Sequence, residues 1–283
     1  MKKLVSLLLA LLLMGTLFVG CSNEASTKAA SDWDYIKEKG TLTVGVTMYP
    51  PMNYLDDAGN WTGFDTEFAQ AVAENLGVDV EFVEISWEAK ETELSSKNID
   101  VLWNGMCITE DRKAMWEVTK PYMNNTQAMV MKADKAAEIL ADISGKNVVA
   151  EAGSTGEEKI LGVIDDSKDA SVKVMAKDYF KDANYTGVSS MAMALSDVNT
   201  GVADVAVVDY VIAQGMIAGD ESSFTDLVIN TDNNFGDQFF GIAFRKDSDA
   251  CAKVEGAIEE LRTNGKLDEI AAKYGLTDAI KVK

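Results

Sequence analysis

Apolar positions along the chain switch repeatedly between strand-like and helix-like spacing. Thr41–Val46 (TLTVGV) reads as a buried strand. Phe64, Phe68, Val72 and Leu76 recur at helical spacing and share one face, and Gly77 stands where a left-handed C-cap belongs. Val78, Val80 and Phe82 alternate and predict a second strand. A polar helix over 89–97 and a strand over 99–103 follow. Thr109 is placed to cap a short helix whose first turn holds Glu110 and Asp111. The order so far, β-α-β-α-β-α, is that of a parallel sheet covered by helices on both faces.

The pattern then begins again. Residues 126–131 read as extended, 146–150 as a strand, and Gly153-Ser154-Thr155 opens a helix near Gly156. Strands are expected over 172–175 and 204–208, with a helix over 191–198 between them. A third block has a strand over 239–244 and a helix face made by Val254, Ala257, Ile258 and Leu261. A last helix carries Leu267, Ile270, Ala271 and Tyr274 and stops at Gly275. The fold class expected is α/β, with two lobes joined by a two-strand hinge. The strand C-ends of each lobe open onto a shared ligand cleft. Crossings near 124–126 and 236–239 would give a first lobe of 33–125 and 238–283, and a second lobe of 126–237.

The N-terminus follows other rules. Met1-Lys2-Lys3 is basic, Leu4 to Val19 is apolar and uncharged, and the stretch ends Phe18-Val19-Gly20-Cys21. Residues 1–20 therefore read as a secretory signal, with an uncleaved membrane anchor as the alternative. The stretch resembles a bacterial lipobox, which implies that Cys21 is lipidated and becomes the mature N-terminus; Phe18 departs from the usual Leu. Either reading puts the remaining chain outside the cytoplasmic membrane. Residues 21–32, small and polar without an apolar period, read as a flexible tether.

Composition removes several function classes. Of 283 residues, 46 are acidic and 26 basic, a formal charge of −20 that disfavours nucleic acid. There is no histidine, which excludes Ser-His and Cys-His nucleophile pairs and His-ligated zinc or haem. Cys107 and Cys251 are far apart in sequence; neither a disulfide between them nor a metal site is expected. No cofactor is expected either.

Several residues suit a ligand cleft, and each has a second explanation. Arg112 lies in the first turn of the Thr109 helix, where a guanidinium opposes the helix dipole unless it meets an anion. It could grip a carboxylate, or pair with Glu110 or Asp111 at the surface. Gly153-Ser154-Thr155-Gly156 offers N–H groups and hydroxyls to an anion, or simply caps a helix. Asp209 ends the apolar run Val205-Ala206-Val207-Val208 and could hold an ammonium or cap the next helix. Tyr49, before Pro50-Pro51, and Trp87 could wall an apolar slot or pack in the core. Together they are complementary to a free α-amino acid.

From Leu42 to Met123 the chain resembles the bacterial extracellular solute-binding proteins, family 3, of polar amino acid ABC transporters. The resemblance rests on Leu42-Thr43-Val44-Gly45-Val46, Pro50-Pro51-Met52, Gly63-Phe64-Asp65 and Asn98-Ile99-Asp100. Its most specific part is Trp103-Asn104-Gly105 with Ile108-Thr109-Glu110-Asp111-Arg112 and Lys120-Pro121-Tyr122. It continues through Gly145-Lys146, Ala152-Gly153-Ser154-Thr155, Ala203 to Tyr210 and Asn264-Gly265-Lys266. It implies a periplasmic-binding-protein-like fold, a non-enzymatic role and a hinge that closes on the ligand. It places Arg112 on the α-carboxylate, with Thr155 beside it from the second lobe. Asp209 falls on the α-ammonium, and Tyr49 and Trp87 sandwich the side chain. Asn104 belongs to the matching run, and Gly105 and Cys107 fall where backbone groups and usually a hydroxyl contact the ligand. Ser154 belongs to the second-lobe motif, and Glu151 stands where members vary with substrate. The stretch between Gly45 and Tyr49 lacks the Asp many members carry, leaving Thr47 nearby. That favours a neutral polar, glutamine-like side chain. The implied partners are a free amino acid, permease subunits and, through the lipid, the membrane, with the chain a monomer. Two alternatives stay open: an enzyme on this fold, similar to cyclohexadienyl dehydratases or some peptidoglycan lytic enzymes, and a sensor presenting its ligand to a receptor.

Overall fold

Ser31 turns the chain into its first helix. In the computed structural model, which describes residues 31–162, 178–217, 224–232 and 235–282, its hydroxyl accepts from Asp34 N–H (2.9 Å) and donates to Asp249 (2.6 Å). Asp32 pairs with Arg245 at 2.8 Å. Ser31 and Asp32, expected in the tether, are therefore tied to the packed chain. The signal stretch, Cys21 and the strand expected over 172–175 lie outside the described residues.

The elements run α1 (Asp32–Lys39), β1 (Thr41–Val46), a hairpin of β2 (Tyr54–Leu55) and β3 (Trp61–Thr62), α2 (Phe64–Leu76) and β4 (Asp79–Glu84). A single 3₁₀ turn at Trp87–Ala89 leads into α3 (Lys90–Ser95), β5 (Val101–Cys107), α4 (Glu110–Met115), β6 (Glu117–Val118) and β7 (Met123–Asn125). Then come β8 (Gln127–Lys132), α5 (Ala136–Ala141), β9 (Asn147–Glu151), α6 (Thr155–Ile160), β10 (Asn184–Val188) and α7 (Met191–Thr200). β11 (Val205–Asp209), α8 (Tyr210–Ile217) and β12 (Leu227–Asn230) follow, and β13 (Gln238–Phe244), α9 (Ala250–Thr263) and α10 (Lys266–Lys273) close the chain.

Two sheets result. The first is ordered β4-β1-β5-β13-β6, with β7 also on β13; the second is β10-β9-β11-β8-β12. The alternating β and α segments do pair in parallel, β1 with β4 and β5, and β9 with β10 and β11. Each sheet is nevertheless mixed, because β13 joins the first antiparallel and β8 joins the second antiparallel. These are the strands on which the chain changes sheet: it leaves the first between Asn125 and Gln127 and returns between Asn230 and Gln238.

α2 buries the face read from its spacing, with Phe64, Phe68 and Val72 fully inaccessible. Each large apolar side chain so buried contributes about 1.5–3 kcal/mol. Phe68 meets Trp103 edge-on at 5.0 Å and Tyr122 at 5.7 Å, a rigid aromatic layer beneath β5. α9 and α10 pack back against α2. The C-terminal residues lie along β7: Asn124 N–H donates to Ala279 O (2.8 Å), and its amide to Ala279 O and Lys281 O (3.0 Å each). Arg262 donates to Tyr122 O at 3.2 Å and Ile280 O at 3.4 Å.

The β2–β3 hairpin, α1, α5, β6, β7, β10 and β12 are not among the expected elements. α1 buries only Ile36, so its polar sequence carries no periodic signal. β10 (NYTGV) is a half-exposed edge strand with an internal Gly.

Candidate functional site

The strand C-ends converge as the topology requires. The loop after β1 brings Tyr49, β5 brings Asn104, Gly105 and Cys107, β9 ends at Glu151 and β11 at Asp209. Trp87 comes from the 3₁₀ turn, Arg112 from α4, and Ser154 and Thr155 from the start of α6. All ten line one cleft, joined by Thr47, Met48 and Met191.

Gly105 is the structural key to the first-sheet side. Its φ of +56° is left-handed, and a Cβ there would run into the Tyr49 ring. The pairing of β5 with β13 shifts register between Gly241 and Ala243, so the strand carries on past 103 to Cys107. Gly105 N–H does not face the cleft: it donates to Asp65 at 2.8 Å, and Tyr122 OH donates to the same oxygen at 2.9 Å. Asn104 is likewise used internally, accepting from Thr47 N–H at 2.9 Å and donating to Thr47 Oγ1 at 2.7 Å. The Asn104 amide and the Gly105 N–H are thus engaged within the wall.

Arg112 is buried. Thr109 caps α4 by accepting from Arg112 N–H at 3.2 Å. The guanidinium donates to Cys107 O at 2.8 Å, then reaches the second lobe at Gly153 O (3.4 Å) and Glu158 (3.5 Å). Among the described residues no salt bridge joins Arg112 to Glu110 or Asp111, and Glu110 pairs with Lys113. Lys90 makes a parallel crossing, donating to Trp87 O and Gly153 O at 3.0 Å each. Pro51 lies so close to α8 that a Cβ on Gly215 would sit 2.6 Å from the proline ring.

Asp209 is 2 % exposed and accepts from four donors, three on Oδ1 and one on Oδ2. Tyr49 OH donates at 2.9 Å, the Asn125 amide at 2.6 Å, the Cys107 thiol at 3.5 Å and the Gln127 amide as well. Gln127 also donates to Gln238 at 2.8 Å, so the first residues of β8 and β13, one on each crossing, are linked beneath the acid. Burial raises the Asp209 pKa, and the four donors pull it back toward the ionised form. Burial and the Asp209 charge push the Cys107 thiol well up, so it is a weak donor and no nucleophile. Cys107 and Cys251 are both free and buried.

Glu151 is also buried, yet its carboxylate accepts no hydrogen bond among the described residues. Burial, reinforced by Asp209, pushes it up to about 8, while Lys90 and Arg112 act the other way. Lys90 is lowered to about 8 by its own burial and by Arg112, against Glu151, Glu158 and Glu157. Ser154 proves to be a helix cap, accepting from Glu157 N–H at 3.2 Å. Thr155 accepts from the Gln127 amide at 3.2 Å. Tyr49 and Trp87 are nearly inaccessible, and Tyr49 also meets Phe240 edge-on at 6.4 Å.

Sequence reading missed Lys90, Asn125, Gln127, Gln238, Met48 and Met191. A polar side chain opening an apolar strand was the available signal for Gln127 and Gln238. No signal distinguishes Lys90 from any solvated lysine. Among the described residues there is no cluster of His, Cys, Asp and Glu that could hold a metal, and no helix long and apolar enough to cross a membrane.

Comparison with known proteins agrees with this architecture. Residues 42–277 match the bacterial extracellular solute-binding proteins, family 3. The L-cystine-binding protein TcyJ of Escherichia coli is 30% identical over 276 residues, covering 95% of this chain and 96% of its own. The arginine-binding extracellular protein ArtP of Bacillus subtilis is 28% identical over 277 residues, covering 97% and 98%. An ABC uptake transporter substrate-binding protein of Streptococcus pneumoniae, solved with bound histidine, superposes with a TM-score of 0.76 at 26% identity, covering 89% of this chain and 99% of that one. The chain belongs to the family 3 extracellular solute-binding proteins.

Proposed function

We propose that the protein is the extracytoplasmic substrate-binding component of an amino acid ABC importer, and that it captures a free polar L-amino acid by closing its lobes on it. The observation that carries this reading is a guanidinium and a carboxylate lining one cleft from two different lobes, Arg112 on α4 and Asp209 at the end of β11. Arg112 grips the α-carboxylate, assisted by Thr155. Asp209 takes the α-ammonium, and Tyr49 and Trp87 flank the side chain. Only a ligand touching both lobes binds the closed arrangement better than the open one, so it shifts the population toward closure. Charge-assisted bonds contribute about 1.5–3 kcal/mol each, which after the cost of immobilisation suits an affinity of roughly micromolar. Amino acids bound by relatives of similar length support the substrate class.

The side chain we favour is glutamine-like. A Glu151 that titrates at about 8 is mostly protonated at neutral pH, and a neutral carboxyl both donates to and accepts from a carboxamide. A cationic side chain is the second reading, favoured by the arginine ligand of ArtP and by an ionised Glu151. Cys21 anchors the protein through lipid in this reading, and Cys21→Ala releases it from membranes. Nothing in the cleft calls for turnover of the ligand; Asp209, ringed by donors, is suited to holding a cation.

A thermal-shift screen of the twenty amino acids tests the proposal, since a ligand that binds only the folded form raises the melting temperature. Glutamine is expected to give the largest rise. No rise with any amino acid sinks the reading, and a largest rise with arginine selects the second one.

A further inference from the structure

Gln127 opens β8 and stands in register opposite Asp209, the last residue of β11. Cross-strand partners share one side of a sheet, so its buried side chain lies where the acid does. It sits behind the cleft and reaches two residues that line it. Its amide nitrogen donates to Asp209 Oδ1 and to Thr155 Oγ1 (3.2 Å), and also to Gln238 Oε1 (2.8 Å). An amide nitrogen has two hydrogens, so one goes to the carboxylate and the second is shared by Thr155 and Gln238. Gly156 lets α6 come this close: a Cβ there would sit 2.6 Å from Val207 O and 3.2 Å from Gln127 Oε1. The two anchors are left poised in complementary ways. Asp209 Oδ1 also accepts from Asn125 and Cys107, whereas among the described residues Oδ2 accepts from Tyr49 alone, so Oδ2 keeps a lone pair for an ammonium. Thr155 Oγ1 accepts from Gln127, so its own hydrogen is left for the Cys107 sulfur beside it or for a carboxylate, the stronger acceptor.

We propose that Gln127 is a positioning residue that sets the gauge of the site. Through one amide it holds the carboxylate of Asp209 and the hydroxyl of Thr155 at the separation an α-amino acid needs, and so rejects homologues in which an extra methylene parts the two charges. The inference rests on the proposed amino-acid-binding function, which gives the ligand's ammonium to Asp209 and its carboxylate to Thr155 and Arg112. Binding groups discriminate when they are held within about 0.5 Å of the productive geometry. One added C–C bond moves the two charges apart by up to about 1.5 Å. Thr155 starts α6 and Asp209 ends β11, so no single backbone element fixes their spacing. Gln127 hydrogen-bonds both, and its tie to Gln238 anchors that spacing to the strand on which the chain returns to the first sheet.

The test is calorimetric titration of the full-length chain in detergent with L-glutamine, and with whichever amino acid gives the largest thermal shift if it is another. Each is compared with its β-homologue, in which one extra methylene separates ammonium from carboxylate. The wild-type chain is expected to favour the α-form. Gln127→Leu is expected to lower that α-to-β preference about tenfold, the worth of one or two neutral hydrogen bonds, by weakening the α-form and hardly touching the β-form. Gln127→Met, unbranched and without a donor, gives the same result where the leucine disturbs folding. In a Thr155→Val background, Gln127→Leu is expected to cost the α-form only about threefold, because one of its two anchors is already gone. An equal loss for both forms, which a merely structural residue would give, overturns the proposal, as does an unchanged preference or full additivity with Thr155→Val. A wild-type chain that binds the β-homologue as tightly as the α-form overturns it too. Those outcomes leave the amino-acid-binding function standing. Absence of binding by any of the twenty amino acids overturns that function, and the gauge with it.

Discussion

The two ends of the cleft are built differently. Arg112 is positioned by its own lobe: Thr109 caps its helix, and Cys107 O, five residues back on the same chain turn, holds its guanidinium at 2.8 Å. Its contacts across the cleft are longer, 3.4 and 3.5 Å. Asp209 ends a strand of the second sheet, yet Tyr49, Cys107 and Asn125 all reach it from elements of the first, and only Gln127 from its own. In the proposed function the carboxylate end is thus a property of one lobe, ready before the lobes meet, and the ammonium end is assembled by their meeting. In the proposed function the ligand docks first on Arg112, and its ammonium then rewards closure.

The sharpest way to break this contrast is Arg112→Ala. Truncating one partner of a buried, hydrogen-bonded charge pair costs about 2–5 kcal/mol, so amino-acid binding should fall below calorimetric detection with the fold intact. Unchanged affinity removes Arg112 from the site. Asp209→Asn should do less, weakening binding by about 1.5–3 kcal/mol, because an amide still accepts from Tyr49 but no longer pairs with an ammonium. It should also uncouple binding from closure, read as a lost ligand-induced decrease in radius of gyration by small-angle scattering. A full compaction in the Asn variant contradicts an ammonium end that depends on closure.

The smallest effect concerns pH. Burial raises Glu151 from 4.5 to about 8 and Asp65 from 3.8 to about 7 in the folded chain. Between about pH 5 and 8 the native state therefore holds protons that the unfolded chain has released, and stability falls as pH rises, by at most about 1.4 kcal/mol per unit for each group. Melting temperatures should decline across that window, and Glu151→Gln should flatten the upper part. Burial raises Glu151 most and Asp209 adds to it, so the upper part of the decline belongs to the Glu151–Asp209 side of the cleft and the lower part is shared with Asp65. An equally steep decline in the Gln variant refutes the assignment.

The same contrast governs what could be read from the sequence. Arg112, Glu151 and Asp209 stand at strand ends or the first turn of a helix, where a charge next to an apolar run is conspicuous, and the family resemblance sorted their roles. The cleft brings together all ten residues named in advance. Their supports were less visible. Gln127, Gln238 and Asn125 look like ordinary polar boundaries of strands until the pairing puts both crossings under one carboxylate. Gly105 is expected as a backbone contact and does line the cleft, but its second task, a left-handed turn that admits the Tyr49 ring and aims its N–H at Asp65, was not legible. Strand order was equally illegible: nothing local in Gln238–Phe244 says that it enters between β5 and β6 in the opposite direction.

The segment that ends the chain bears on mechanics. Asn124, in the last strand before the first crossing, is clipped by three hydrogen bonds to Ala279 and Lys281, and Arg262 ties Ile280 to Tyr122. Those few residues brace the strand that leads into the first crossing. In the proposed function, how readily the jaws swing is tuned by a stretch that never meets the cargo, and trimming it is expected to soften the spring without altering the grip.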